Sequence, residues 1–180
     1  MDCGGVGVRY DLASYVYEPI NGLLEKPTGI RKARERLISQ ARGRVLELGV
    51  GTGLNLPIYR DVEEVLGVDI SRKMLEKAGR KSTKVPVRLI MADAGSLPFP
   101  DRSFDTVVST FFLCVVPERE KVIREIKRVL KSNGLLARKC SPPENRAFRA
   151  LLSWISALTS RLMGTDFRAD IPALRRRGGL

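Results

Sequence analysis

A short apolar segment, residues 44–49, runs directly into a turn that carries glycines at alternate positions, Gly49, Gly51 and Gly53. Glycine adopts positive φ angles without steric cost, so this spacing predicts a strand that turns sharply at its carboxyl end. If a helical turn follows, its first backbone N–H groups can face a ligand. The pattern therefore predicts a strand and a tight turn with a ligand above the strand end.

Further apolar segments alternate with helical patterns along the chain. The predicted strands are residues 44–49, 64–69, 87–91, 104–112 and 135–139. The predicted helices are residues 31–42, a helix capped by Ser71, and residues 118–131. Strands that alternate with helices predict a doubly wound, mainly parallel α/β sheet with helices on both faces. Right-handed crossovers then place the ligand crevice at the carboxyl ends of the first and fourth strands.

Residue counts exclude several kinds of active site. The 180 residues include no histidine, so a His-based catalytic triad, a His metal site and a His proton shuttle are excluded. Cys3, Cys114 and Cys140 lie far apart without a C-x-x-C spacing, so we expect no metal site and no disulfide framework. We find no signal peptide pattern and expect a cytoplasmic protein. The low content of Asn and Gln is typical of a thermophile.

The net charge of +12 is unevenly distributed, since residues 134–180 hold nine basic and three acidic side chains. A basic tail can contact nucleic acid or an anionic membrane, although a solvated surface explains it equally well. Within this tail, residues 144–164 predict an amphipathic helix. Such a helix can rest on anionic lipid as a peripheral membrane contact, or it can cover the sheet.

Polar side chains follow the other predicted strands at the same edge of the sheet. Asp69 ends the second strand, where a carboxylate can accept both hydroxyls of a ribose or can share the capping of the next helix. Asp93 follows the third strand, where a simple turn residue is the alternative. Ser109 and Thr110 end the fourth strand, beside Phe111, for which core packing is the alternative.

The turn reads Glu47-Leu48-Gly49-Val50-Gly51-Thr52-Gly53, an E-x-G-x-G-x-G pattern. Dinucleotide enzymes use G-x-G-x-x-G instead, with the third glycine one position later. The pattern is similar to the first motif of class I S-adenosylmethionine (SAM) methyltransferases, which residues 104–108 and 128–134 also resemble. The resemblance spans residues 45–136 and implies a Rossmann-like sheet in the order 3-2-1-4-5, with SAM as the cofactor.

The resemblance also implies which residues bind the cofactor. In the core they are Glu47, Gly49, Gly51, Gly53, Asn55, Asp69, Ile70, Asp93, Ala94 and Thr110. Asp93 and Ala94 match the position that contacts adenine, and Thr110 matches the position that faces the methyl group. Tyr10 and Tyr17 resemble an aromatic lid over SAM, although they can also belong to a helix packed on the core. The resemblance assigns neither a catalytic residue nor a metal ligand.

Residues 108–117 resemble a subgroup that contains phospholipid N-methyltransferases, with the quinone C-methyltransferases as neighbours. The implied reaction moves a methyl group to a small or lipid-like acceptor, at an amine, a thiol or a quinone carbon. The N-P-P-Tyr motif is absent after the fourth strand, so we do not expect DNA as the substrate. The alternatives are a non-catalytic SAM-binding subunit and, from the basic charge, an RNA methyltransferase.

We expect residues 1–180 to form one domain. Its predicted parts are an N-terminal lid and helices (1–43), a SAM-binding core (44–140) and a C-terminal helical segment (141–180). Compared with the family, the sheet is expected to lack its sixth and seventh strands. The fifth strand would then be an open edge, which a homodimer can cover.

Overall fold

A computed structural model of the chain describes residues 29–114 and 116–139. Five strands form one sheet in the order β3-β2-β1-β4-β5, and every neighbouring pair is parallel. The strands are β1 (Arg44–Leu48), β2 (Glu64–Asp69), β3 (Val87–Met91), β4 (Phe104–Thr110) and β5 (Leu130–Lys139). The predicted fold class and strand order are therefore confirmed.

Three α-helices and one short 3-10 helix connect or flank the strands in the described residues. They are α1 (Ile30–Ile38), the 3-10 helix (Leu56–Ile58), α2 (Arg72–Ala78) and α3 (Arg119–Val129). The predicted cap of α2 is confirmed, because the Ser71 hydroxyl accepts a hydrogen bond from the Met74 N–H at 3.2 Å. This bond satisfies one of the N–H groups that a helix start leaves without an intrahelical partner.

Both faces of the sheet are covered by helices, as predicted. One core layer joins α3, through Val122, Ile126 and Val129, to strand residues such as Leu46 and Leu66. The opposite layer joins α1 and α2 to the strand residues that alternate with those of the first layer. Its members include Ile38, Ala78, Val45 and Val65. Alternate side chains of one strand thus enter different layers, so the central strands are apolar almost throughout.

The predicted end of the third helix is wrong. We expected the helix to continue to Lys131, but it ends at Val129 and β5 begins at Leu130. Leu130 pairs with Phe104 of β4, and the register shifts before Thr106 pairs with Leu135. Pairing with β4 therefore outweighs the local helix pattern, and the register shift accommodates the polar residues in between.

Several predictions fall outside the described residues. They concern Tyr10 and Tyr17, Cys140, the helix at residues 144–164, and most of the proposed segments 1–43 and 141–180. In the part of the chain that the structure describes, no helix is both long enough and apolar enough to cross a bilayer.

Candidate functional site

The three glycines after β1 have positive φ angles of 64° at Gly49, 55° at Gly51 and 78° at Gly53. Two of them allow close packing. A Cβ at Gly49 would lie 2.4 Å from the Phe112 ring, and one at Gly53 would lie 2.9 Å from Leu56. A Cβ at Gly51 would instead meet nothing nearer than the Gly49 carbonyl oxygen at 4.0 Å. Gly51 therefore borders open space.

That open space lies where the strand order reverses, because β2 and β4 lie on opposite sides of β1. Ligands of doubly wound sheets bind in the crevice that this reversal creates. A pocket at this point is lined by Arg34, Gly49, Val50, Gly51, Thr52, Leu54, Asn55 and Thr110. Four of the predicted site residues, Gly49, Gly51, Asn55 and Thr110, are thus brought together.

Behind the pocket, Glu47 forms a buried hydrogen-bond network. The Asn55 amide nitrogen donates to Glu47 Oε1 at 2.6 Å, and the Tyr59 hydroxyl donates to Glu47 Oε2 at 2.9 Å. Glu47 is 1% exposed and Tyr59 is fully buried. Both carboxylate oxygens therefore accept hydrogen bonds from protein donors, and the predicted contact of Glu47 with the cofactor remains a prediction.

Burial raises the pKa of Glu47 from its ordinary value of 4.5 to about 7. The loss of hydration is the largest cause, and it outweighs the hydrogen bonds from Asn55 and Tyr59 and the nearby charge of Arg34. Desolvation disfavours the charged form of any carboxyl group. Glu47 therefore exchanges a proton near neutral pH.

Arg34 is a site residue that the sequence analysis missed. Its side chain is buried in α1, and its Nη1 donates to the Asn55 carbonyl oxygen Oδ1 at 3.0 Å. Its guanidinium carbon lies 5.6 Å from the centre of the Phe111 ring, within the range of a cation–π contact. The spacing Ile30, Arg34, Ile38 was an available signal, since residues four apart share one helix face.

Asp69 links the end of β2 to the glycine turn. Its Oδ2 accepts a hydrogen bond from the Gly51 N–H, and its Oδ1 accepts one from the Ser71 N–H, both at 2.9 Å. A carboxylate oxygen can accept more than one hydrogen bond. Asp69 therefore helps to cap the start of α2, as one of the two alternatives expected. Its contact with a ribose remains a prediction.

The remaining predicted residues follow β2 and β3 along the same edge. Ile70 comes directly after β2 and is partly exposed, and Ala94 is buried. Asp93 Oδ1 accepts a hydrogen bond from the Gly95 N–H at 2.8 Å, so this side chain does shape a turn. Its contact with adenine stays a prediction.

The end of β4 has an unusual backbone. Phe111 has a φ of 58°, a conformation that is rare for a residue other than glycine. It turns the chain so that Phe111 contacts Arg34 while Phe112 packs on Gly49. Just before it, Ser109 is fully buried and its hydroxyl has no hydrogen-bond partner among the described residues. Residues other than glycine with a positive φ, such as Phe111, concentrate at functional sites.

Comparison with known families identifies the fold. The sequence profile of one family, the methyltransferase domain, matches residues 46–137, which include the glycine turn and the carboxyl ends of β1, β2, β3 and β4. The chain belongs to the methyltransferase domain family. The resemblance to class I methyltransferases read from residues 45–136 is thereby confirmed.

Individual relatives of this methyltransferase domain carry related names. The chain is 49% identical to a phosphatidylethanolamine N-methyltransferase of Cereibacter sphaeroides, over 51% of this chain and 47% of that protein. It is 32% identical to a demethylmenaquinone methyltransferase of Thermotoga maritima, over 89% of this chain and 74% of that protein. The chain thus spans about half of the first relative's length.

A solved structure shares the fold of this methyltransferase domain. It is described as a complex of DhpI with SAM and HEP, and it superposes with a TM-score of 0.60 at 26% identity. The match covers 72% of this chain and 61% of that one.

Proposed function

We propose that this methyltransferase domain binds SAM at the carboxyl ends of β1 and β4 and transfers its methyl group to a small-molecule or lipid-like acceptor. The observation that carries the proposal is the open space at Gly51, directly above the strand reversal. The names of the relatives, a phospholipid N-methyltransferase and a quinone-precursor methyltransferase, support the acceptor class.

The residues around this space fit SAM. Gly51 gives the ligand close access to the backbone, because any Cβ there would project into the space that the ligand needs. Thr52 lines the same pocket, and its hydroxyl is buried without a partner among the described residues. Buried polar groups without partners are uncommon, so a ligand atom is a suitable partner for this hydroxyl.

We assign roles to the strand ends in the order of the sheet. The glycine turn holds the amino-acid part of SAM, Asp69 holds the ribose, Asp93 with Ala94 holds the adenine, and Thr110 faces the methyl group. SAM supplies an electrophilic methyl group, so the protein mainly aligns the acceptor with it and excludes water. An amine or a thiolate needs at most a weak base, which agrees with a chain that has no histidine.

The first test is calorimetric titration of the purified chain with SAM and with S-adenosylhomocysteine (SAH). We expect both to bind, whereas NAD should not. In the Asp69→Ala variant, SAH should bind about 10- to 100-fold more weakly, because charge-assisted hydrogen bonds to the ribose are lost. Asp101→Ala is the control, since Asp101 is an exposed acid paired with Arg128 and lies outside the pocket.

Asp69→Ala also removes the acceptor of the Gly51 and Ser71 N–H groups, so its melting temperature must be measured alongside. A folded Asp69→Ala protein that binds SAH as tightly as the wild type would contradict the ribose assignment. Failure of the folded wild-type chain to bind either nucleoside would contradict the proposed cofactor.

The acceptor is tested with SAM that carries a radiolabelled methyl group. We expect label to enter either vesicles that contain phosphatidylethanolamine or a demethylated quinone in detergent, and the labelled product identifies the nucleophile. SAM binding without transfer to any amine, thiol or quinone carbon would contradict the proposed activity and favour a non-catalytic SAM-binding subunit.

We further propose that residues 1–180 act as one cytoplasmic domain, divided as predicted at residues 43 and 140. Two features support contacts with other molecules. β5 is an edge strand among the described strands, which suits pairing with a second copy. The basic residues 134–180 suit peripheral contact with an anionic membrane. Sedimentation velocity and vesicle flotation test these two contacts.

A further inference from the structure

We propose that a groove at the start of α3 binds the phosphate group of a phosphorylated methyl acceptor. The inference rests on the proposed function and deepens it, because it names the acceptor class and the surface that recognises it. The groove has a volume of about 550 Å³, whereas the pocket beside Gly51 measures about 30 Å³. The groove is lined by Pro117, Glu118, Arg119, Glu120, Lys121 and Arg124.

Two contacts place the groove at the edge of the sheet where the cofactor is expected. Arg119 Nη2 donates to the Cys114 carbonyl oxygen at 3.5 Å, so this side chain reaches the turn that follows Thr110. The side-chain stem of Lys121 packs on the turn after β3, because a Cβ at Gly95 would lie 3.1 Å from its Cδ. The groove therefore borders the turns that follow β3 and β4, near the strand end predicted to face the methyl group.

The two arginines of the groove have few partners in the protein. The bond from Arg119 to Cys114 is at the outer limit of hydrogen-bond length, and the Arg119 Nε is buried without a partner among the described residues. Arg124 is exposed and forms no ion pair within the described ranges. A guanidinium group presents a planar set of donors that matches the oxygens of a phosphate. Both arginines therefore keep donors available for a ligand of this kind.

The acidic side chains of the groove compensate only part of its positive charge. Glu118 Oε2 lies 3.3 Å from the Lys121 Nζ, so these two charges balance each other. Glu120 lies one helical turn before Arg124, but residues 116–139 show no ion pair between them. Two arginines thus remain against one acid, and the groove favours a group with negative charge.

This charge distinguishes between the acceptors that the proposed function allows. A quinone has no anionic group for the two arginines to bind. An amine joined through two carbons to a phosphate, as in an ethanolamine headgroup, carries the nucleophile only a few bonds from the charge. A phosphate held in the groove would therefore keep the amine close to the strand ends, which is how binding energy is used to align a nucleophile.

The first experiment titrates the SAH-loaded wild-type chain with three ligands by calorimetry. Dihexanoyl phosphatidylethanolamine carries the whole headgroup, dihexanoylglycerol lacks it, and phosphoethanolamine is the headgroup without the lipid. We expect dihexanoylglycerol to bind about 10- to 100-fold more weakly than the phospholipid, because hydrogen bonds to a charged group are lost. Phosphoethanolamine that binds as tightly as the phospholipid would indicate a soluble acceptor, and weaker binding would indicate a lipid; both results support a phosphate site.

Variants then assign the effect to the groove. Arg119→Gln and Arg124→Gln should each weaken phospholipid binding about 10- to 100-fold, while the affinity for SAH stays within about twofold. Arg119→Gln also loses the bond to Cys114, so its melting temperature is measured alongside, whereas Arg124→Gln has no such bond to lose. Glu120→Gln should bind the phospholipid at least as tightly as the wild type. Lys127→Gln is the matched control, since Lys127 is an exposed cation of α3 outside the groove.

Three results would overturn the inference and leave the proposed cofactor intact. They are no binding of either phosphate compound to the SAH-loaded wild type, equal binding of dihexanoylglycerol and the phospholipid, and unchanged phospholipid binding in a folded Arg119→Gln or Arg124→Gln protein. If the folded wild type does not bind SAH at all, the proposed function fails and this inference fails with it.

Discussion

Glu47 and Glu125 each belong to a network that includes an arginine, but the two networks lie in different surroundings. Glu47 is 1% exposed and lies behind the pocket. Glu125 lies on α3, where Arg128 donates to both of its oxygens at 2.8 Å. Arg128 also reaches Asp101 and remains 31% exposed in its side chain. One network is thus sealed inside the sheet layers and the other is open to water.

The pKa values of the two glutamates are shifted in opposite directions by their surroundings. Burial raises the pKa of Glu47 to about 7, whereas the hydrogen bonds from Arg128 lower the pKa of Glu125. Water still hydrates Glu125, so the attraction of Arg128 prevails there, while the loss of hydration prevails at Glu47. The difference teaches that burial, more than the presence of an arginine, decides the charge state. It also distinguishes the Glu47 network, which contacts the pocket residue Asn55, from the Glu125 network, which holds the loop of Leu97 and Phe99 to α3.

Alanine substitution of each glutamate should give the largest difference between the two networks, measured as the loss in the free energy of unfolding. Glu47→Ala leaves the Asn55 amide and the Tyr59 hydroxyl as buried donors without acceptors, and we expect a loss of about 3 kcal/mol in the free energy of unfolding. Glu125→Ala leaves the Leu97 N–H without this acceptor, while Arg128 keeps Asp101 and two carbonyl groups, so a loss of about 1–2 kcal/mol is expected. Urea unfolding measures both, and equal losses would contradict the contrast.

The dependence of stability on pH tests the same contrast. Between pH 4.5 and 7 the folded state keeps a proton on Glu47 that the unfolded state has released. The free energy of unfolding should therefore be highest near pH 5 and fall as pH rises towards about 8, by at most roughly 3 kcal/mol. Below pH 4.5 stability should fall as well, because the lowered pKa values of Glu64, Asp105 and Glu125 act there.

Glu47→Gln is the control for this profile, since it keeps the size of the side chain and removes the titration. Its unfolding free energy should be flat between pH 5 and 8. The chain has no histidine, so no imidazole titrates in that interval and obscures the comparison. A wild-type profile that is also flat there would show that Glu47 is ionised throughout.

A smaller effect than at Glu47 is expected at Arg128. Arg128→Ala should cost about 1–2 kcal/mol, because the carbonyl groups of Leu97 and Phe99 lose the donor that holds their loop to α3. The affinity for SAH should not change, since Arg128 does not line the pocket in the described residues. Thermal melts and SAH titration give the two values, and a tenfold loss of affinity would mean that the two networks are coupled.

Most of the fold could be predicted because its signals are local. β2 and β3 have the predicted bounds, and Ser71 caps α2 as expected. The error at Leu130 arose where a local helix pattern competed with strand pairing. This pairing depends on β4, which lies far away in the sequence, so the residues around Leu130 do not indicate that it is in a strand.

The candidate site was predictable only in outline. The spacing of Gly49, Gly51 and Gly53 was sufficient to locate the turn, because positive φ is a local property of glycine. The sequence did not indicate that Glu47 would face inward. Arg34 was missed because it is 21 residues from Asn55, and the two meet only when α1 packs on the sheet.

Local chemistry in the chain thus determines the strands, the glycine turn and the family to which they belong. Apolar periodicity and glycine act over a few residues, so they can be read without the fold. Tertiary packing decides that Arg34, Asn55 and Thr110 share one pocket and that Glu47 holds a proton near pH 7. Hydration is lost only when distant segments close around a side chain, and that loss is what shifts its pKa.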